Sequence, residues 1–399
     1  MNKSIPYGRQ NITDSDIQAV VDTLRSEYLT QGPKIAEFET AFAKYVGSQY
    51  AVAVANGTAA LHLCTLALGV NEGDKVITTP ITFAASANCI RYCGGEVVFS
   101  DIDPQTYLLD ITKVKKLLEA SPKGTYKGII PVDFAGRAVD LEAFRKLADD
   151  YGLWIIEDSC HAPGGYFTDK KGVQQNCGNG KFADLAIFSF HPVKHIAAGE
   201  GGMITTNNEA LYKKLLMLRT HGITKESSQY QNDLDIAVGK DQKVISTEWP
   251  LWYMEMQTLG YNYRITDFQA ALGLSQMSRA EEGIVRRRTI AEVYEKAFSG
   301  KSYIKGQSRL IEGHAYHLYV IETENRLGLY NHLREKKVYA QIHYIPCHLM
   351  PYYQQFGWKA GDMPAAEKYY DHCISLPMYP TLTDDEQKYV IETIHNFYT

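Results

Sequence analysis

The sequence predicts an α/β chain: a mostly parallel seven-stranded sheet flanked by helices, followed by a smaller α+β C-terminal domain. Three observations predict it. Short apolar runs recur through the first half of the chain, amphipathic segments separate several of them, and the pattern changes after about Thr206. The runs carry few polar positions, so the sheet they form has to be covered on both faces.

Taken in order, "NITDSDIQAVVDTLRS" opens with an acidic cap and continues at helical spacing, and "IAEFETAFAKYVG" is a second helical stretch. The strand candidates then follow: "YAVAVA", "KVITTP", "EVVFSD", "GIIPV", "LWIIED", "LAIFSF" and "GMITT", with helix-like "ITKVKKLLEA" and "LEAFRKLADDYG" among them. The apolar stretch "AVAVANGTAALHLCTLALGV" is broken by Asn56-Gly57-Thr58, so it reads as strand, turn and helix rather than a membrane span. Beyond "LYKKLLMLRTHG" lies a long mixed segment, then "TDFQAALGLSQMSRAEEGIVRRRTIAEVYEKAF" as one long helical stretch. Strand-like "HAYHLYVIE" and helix-like "GLYNHLREKK" and "DEQKYVIETIHNFY" complete the tail. The expected division is a large domain over residues 1–250 and a smaller one over 251–399.

The bulk properties exclude several classes of partner. The 399 residues carry a formal net charge of −5, which disfavours nucleic-acid binding through phosphate neutralisation. The longest basic block, Arg286–Arg288, reads as a solvated helix face. The seven cysteines lack paired metal-ligand spacing, so no metal is expected, and core thiols in a reducing compartment fit better. The N-terminal "MNKSIPYGRQNITDSD" has no apolar signal region, and the expected location is cytoplasmic, away from any membrane.

Chemistry is expected at the carboxyl ends of the strands, where open α/β sheets bind ligands. "YAVAVA" runs through Asn56-Gly57-Thr58-Ala59 straight into a helix, whose first N–H groups suit a phosphate. "KVITTP" leads to Phe83, "LWIIED" ends in Glu157-Asp158 with His161 close behind, and "LAIFSF" ends in Ser189 shortly before Lys194. Each feature has an ordinary structural reading: an N-cap turn, a core phenylalanine, a solvated lysine. Acidic residues after an apolar strand do call for a charge partner. Together, a phosphate cradle, an aromatic plate, a buried carboxylate and a lysine are what pyridoxal phosphate requires. The lysine forms a Schiff base, and the carboxylate keeps the pyridine nitrogen protonated.

Over nearly its full length the chain resembles the DegT/DnrJ/EryC1 nucleotide-sugar aminotransferases, which are fold-type-I pyridoxal phosphate enzymes. The resemblance rests on "LTQGPKIAEFE", "NGTAALHL", "TTPITFAASAN", "EDSCHA", "SFHPVK", "GEGGMITTN", "LRTHG", "GYNYRITDFQAALGLSQ" and "QIHYIPCHLMPYY". Within the family, "SFH", His161 and the "HY.P" loop are similar to the branch that makes the 4-amino group of pseudaminic acid. That branch uses glutamate to aminate a UDP-4-keto-6-deoxy-N-acetylhexosamine.

The resemblance implies roles for individual residues. Lys194 would hold the cofactor covalently and carry protons, Asp158 would pair with the pyridine nitrogen, and His161 would lie by the ring hydroxyl. Phe83 would stack on the ring, while Thr58, Ala59 and Ser189 would bind the phosphate. Asn262 would reach the phosphate of a neighbouring subunit, implying a homodimer with shared sites. Substrate contacts are expected from Tyr7, Glu27, Tyr28, Leu29, Thr30, Asn56, Gln341, Ile342, His343 and Tyr344. His195, the run "AAGEGG" and a long segment from about Thr224 to Met256 depart from the usual pattern and leave the sugar open. The alternatives are another 3- or 4-aminotransferase of nucleotide sugars, a sugar dehydratase with histidine in place of the lysine, or a non-enzymatic sensor. Lys194 in register after "HPV" argues against the dehydratase, and the complete Lys194, Asp158 and Ser189 set argues against the sensor.

Overall fold

The computed structural model describes residues 4–239, 248–305 and 310–399. Its central sheet uses all seven apolar runs: β1 (Tyr50–Val54), β2 (Lys75–Thr78), β3 (Glu96–Phe99), β4 (Tyr126–Ile130), β5 (Trp154–Asp158), β6 (Leu185–Ser189) and β7 (Gly202–Thr206). In space they lie in the order β1–β7–β6–β5–β4–β2–β3. Only β7 runs antiparallel to its neighbours, β6 and β1. The remaining pairings are parallel. Interior positions of β1, β5 and β6 are buried, as strands covered on both faces must be.

The helices that matter for the site are α1 (Asp14–Leu24), α2 (Pro33–Val46), α3 (Gly57–Ala67) and α4 (Ala85–Tyr92). Helix α3 begins two residues after the β1 run, and its Asn56 N-cap is extended, with Oδ1 accepting the Ala59 N–H at 2.8 Å. Nine of its eleven residues are buried, so it lies between the sheet and the outer helices. This packing fixes the direction in which the helix start points.

The expected long helix after Thr266 is two helices, α5 (Asp267–Met277) and α6 (Ala280–Phe298), with Arg279 non-helical between them. Arg279 turns aside to join Asp16 of α1 at 2.7 Å, and Ser275 and Gln276 of α5 donate to the same carboxylate. A second buried cluster takes Ile290 and Tyr294 from α6, Tyr319 and Ile321 from β8 (Tyr319–Glu322), and Ile374 from β9 (Cys373–Leu376). Of "HAYHLYVIE" only the last four residues form a strand.

Arg287 corrects the reading of the basic block as a solvated face. It is 1% exposed, and its Nη1 donates to the carbonyls of Tyr316, His317 and Met378 at 3.1, 3.3 and 2.9 Å. Burial lowers its pKa to about 10. The segment from Thr224 to Met256 lies partly outside the described residues. In its described part Thr224 pairs with Glu255, and Trp249 stacks on Tyr253 at 4.7 Å.

Candidate active site

A cavity of about 430 Å³ opens at the carboxyl ends of the sheet strands. Lys194, Asp158 and Ser189 line it, together with Asn56, Gly57 and Thr58 from the β1–α3 turn, Phe83, and His161. These are the residues the strand-end argument singles out, and the fold brings them to one place because each follows a parallel strand.

Asp158 closes β5. Its Oδ2 accepts from Ser86 Oγ at 2.6 Å and its Oδ1 from the Cys160 N–H at 3.2 Å. Thr82 Oγ1 lies 2.7 Å from Ser86 Oγ, which fixes that hydroxyl in turn. Two donors orient the carboxylate and leave acceptor capacity toward the cavity. The charge partner expected for Glu157-Asp158 is different for Glu157. Its Oε2 accepts the Gly178 N–H at 2.9 Å, and its neighbour is the buried carboxyl of Asp133. Burial raises both carboxyls, Asp133 to about 6, and the charge of Asp133 raises Glu157 further, so each disfavours ionisation of the other.

The Lys194 side chain has no hydrogen-bond or ion-pair partner among the described residues, and it points into the cavity. Burial lowers its pKa, opposed by the nearby Cys160 and Asp158 and assisted by Arg287. A larger share of neutral amine follows, which is the form that attacks a carbonyl. His161 is buried; its Nδ1 accepts the Ala135 N–H at 3.2 Å and its Nε2 lies 3.2 Å from the Tyr344 hydroxyl. Burial, then Lys194, His343 and His195, hold its pKa well below the usual histidine range, so the ring is neutral.

The start of α3 supplies the anion cradle. A Cβ on Gly57 would come within 3.1 Å of Ser189 Cβ, so glycine lets the turn approach the Ser189 side chain. The Ala59 N–H is committed to Asn56, leaving Gly57 and Thr58 with N–H groups free of intrachain partners among the described residues.

Of the remaining expected residues, Tyr7, His343 and Tyr344 line the cavity. Ala59, expected to bind the phosphate, does not line it, and its N–H is taken by Asn56 Oδ1. Glu27, Tyr28 and Leu29 lie exposed between α1 and α2, and Thr30 bridges to Thr266. Gln341 pairs with Ser375, Ile342 packs against the hydrophobic cores, and exposed Asn262 bridges to Thr220. None of these seven lines the cavity of its own chain. Sequence reasoning passed over Ser86, Cys160, His191 and Glu200, which line it too. Ser86 lies in "AASAN" at the start of α4, and its contact with Asp158 spans 72 positions that no local pattern links.

The chain matches the model of the DegT/DnrJ/EryC1/StrS aminotransferase family over residues 10–395. It is 37% identical to the spore coat polysaccharide biosynthesis protein SpsC of Bacillus subtilis, across 99% of this chain and 97% of that one. It is 33% identical to the UDP-4-amino-4,6-dideoxy-N-acetyl-beta-L-altrosamine transaminase of Campylobacter jejuni, across 98% and 96% of the two chains. Among solved structures, Helicobacter pylori PseC, an aminotransferase involved in the biosynthesis of pseudoaminic acid, superposes with a TM-score of 0.85 at 28% identity, over 99% of both chains. No described helix is long and apolar enough to cross a membrane. Aminotransferases of this family depend on pyridoxal phosphate, and the donor set here fits that cofactor: a free amine at Lys194, an oriented carboxylate at Asp158, and open N–H groups at a helix start beside Ser189. The chain is a member of the DegT/DnrJ/EryC1/StrS family, a pyridoxal-phosphate-dependent sugar aminotransferase.

Proposed function

We propose that this aminotransferase moves an amino group from glutamate to C4 of a UDP-linked 4-keto-6-deoxy-N-acetylhexosamine, in the synthesis of pseudaminic acid or a related surface sugar. The observation that carries the reading is the likeness to the Campylobacter transaminase and to PseC along essentially the whole chain, with Lys194 and Asp158 meeting in one cavity. The higher identity to SpsC supports a second reading, in which a different nucleotide-linked 3- or 4-keto sugar is the acceptor.

Pyridoxal phosphate, when bound, supplies an electron sink for a carbanion next to nitrogen. On this reading Lys194 holds the cofactor and moves the proton to and from the carbon that is activated. Asp158, oriented by Ser86, would pair with the pyridine nitrogen, and the His161 ring would lie by the ring hydroxyl. Phe83, 63% exposed in this single chain, offers its face for stacking. The Gly57–Thr58 N–H groups and Ser189 take the phosphate, and Asn262 serves the phosphate of a second copy in a homodimer. The division near residue 250 then separates a cofactor-binding domain from one that contributes the His343–Tyr344 wall.

The test loads the enzyme as the pyridoxamine form and offers UDP-, GDP- and dTDP-linked 3- and 4-keto sugars. The reading expects the UDP-4-keto sugar to regenerate the aldehyde absorbance. Exclusive use of a dTDP-3-keto sugar would refute the substrate and leave the reaction type intact.

A further inference from the structure

The contact between His161 and Tyr344 has a direction. The Ala135 N–H points at His161 Nδ1, so this nitrogen carries a lone pair, and in a neutral ring the proton sits on Nε2. Nε2–H therefore donates to the Tyr344 oxygen at 3.2 Å. With its oxygen accepting from His161, the Tyr344 hydroxyl has to send its own hydrogen elsewhere. Rings of Phe83, Phe134 and His343 also lie against it, and Tyr7, Asp158, Cys160 and Cys347 are its ionisable neighbours, but none of these makes a hydrogen bond to its hydroxyl. No second hydrogen-bond partner exists among the described residues, and the residue lines the cavity that holds Lys194. The O–H is therefore free to donate to a molecule in that cavity.

We propose that Tyr344 is the group that gives and takes the proton at the acceptor's carbonyl oxygen, with His161 as the positioning residue that holds it. This rests on the aminotransfer to a keto sugar proposed above. Joining an amine to a ketone needs a proton placed on oxygen and one removed from nitrogen. As the amine nitrogen bonds to the keto carbon, the C=O π pair moves to oxygen and that oxygen takes the Tyr344 proton. The surplus proton on nitrogen then returns to the Tyr344 oxygen. A second use of the same proton expels the hydroxyl as water: the C–O bond breaks, the nitrogen lone pair forms C=N, and the nitrogen proton restores the phenol. Between transfers the Nε2–H of His161 stabilises the phenolate. Burial raises the Tyr344 pKa, which keeps the resting group a phenol and so a donor.

The experiment uses Tyr344→Phe in the loaded, full-length enzyme. Two reactions are compared in single turnover: return of the pyridoxamine form to the aldehyde form by a keto acceptor, and exchange of the glutamate α-hydrogen with D2O. The first requires an oxygen to be protonated and expelled; the second requires Lys194 but no such oxygen. Return should slow by at least about 100-fold, the usual size of a general-acid contribution. Exchange, cofactor affinity and the unfolding midpoint should stay as in the parent. His161→Leu should reproduce the return defect, and His161→Gln, which keeps an N–H donor, should relieve it. Parental return rates in Tyr344→Phe, or equal losses of return and exchange, would overturn the assignment. Both 2-oxoglutarate and the nucleotide keto sugars are used as acceptors. A parent enzyme returned by 2-oxoglutarate alone would sink the sugar reading, while the oxo-acid reaction would still judge Tyr344.

Discussion

Replacing Gly202 by alanine places a methyl group against the backbone of the Asn56–Gly57 turn, the proposed phosphate cradle. Gly202 opens β7, paired with Val54 of β1 and Ser189 of β6, so its position is fixed from both sides. An added Cβ would stand 2.5 Å from the Asn56 carbonyl oxygen, 2.6 Å from the Asn56 carbonyl carbon and 2.9 Å from the Gly57 nitrogen. All three are backbone atoms, so no rotamer change relieves the clash. Either β7 or the Asn56–Gly57 turn has to move, by roughly 0.5–1 Å, at a cost of about 1–3 kcal/mol typical of overpacking. Displacing the N–H groups at the start of α3 should weaken the cofactor phosphate contact by about tenfold to 100-fold. Gly201→Ala is the control, since its Cβ would meet Phe190 and Ile265 side chains at 3.1 and 3.2 Å, which can give way. Titration with pyridoxal phosphate, followed by absorbance, and urea unfolding of both variants read the two effects. Parental cofactor affinity in Gly202→Ala, or equal losses in both variants, would show that the Asn56–Gly57 turn does not hold the phosphate.

Asp158→Asn keeps the shape and the Ser86 contact but removes the charge, so the glutamate half-reaction should fall by about 100-fold or more while folding survives; stopped-flow absorbance and circular dichroism check the two parts. Asp16 joins α1 to α5: burial pushes its carboxyl up, but Arg279, Ser275 and the Thr13 N–H outweigh this and bring it down to about 2. A folded pKa below the unfolded value stabilises the fold above that unfolded value, and the stabilisation is lost as pH falls toward 2. Asp16→Asn should therefore cost about 2 kcal/mol in urea unfolding at pH 7 and progressively less below pH 4, and a constant difference across pH would contradict this. For the proposed homodimer with a shared site, hybrids of Lys194→Ala and Asn262→Asp chains should recover roughly half of parental activity, because both defects would then fall in one of two equivalent sites. Hybrids as inactive as the two variant homodimers would place Asn262 in its own chain's site.

Much of the site could be read from local sequence because an α/β sheet converts sequence order into proximity. Asn56, Gly57, Thr58, Asp158, Ser189 and Lys194 each follow an apolar run, and parallel strands put those ends side by side. What the sequence hid depends on contacts between distant segments. Tyr344 meets His161 across 183 positions, and the link depends on the Ala135 N–H, which carries no side-chain signature. Arg287 sits in a basic run of the kind that normally faces water. It is buried because carbonyls from Tyr316, His317 and Met378 converge on it, which no periodicity in its own helix reveals. The helical pattern from Thr266 to Phe298 is nearly continuous, so the break at Arg279 shows only through its partner Asp16, far back in the chain. Glu27 to Thr30, Gln341 and Ile342, expected near the substrate, and Asn262, expected at the phosphate of a neighbouring subunit, lie outside this chain's cavity, and none of them follows a long apolar strand of the central sheet that would fix where it points.

The role proposed for Lys194 is to hold the cofactor and to carry its protons. Borohydride reduction of the pyridoxal-phosphate-loaded enzyme, followed by proteolysis and mass spectrometry, tests it most directly. The cofactor mass is expected on the peptide that contains "SFHPVK", at Lys194, and no such adduct is expected after Lys194→Ala even though that variant still binds pyridoxamine phosphate. Stoichiometric labelling of a different lysine, or an unchanged adduct in Lys194→Ala, would contradict it.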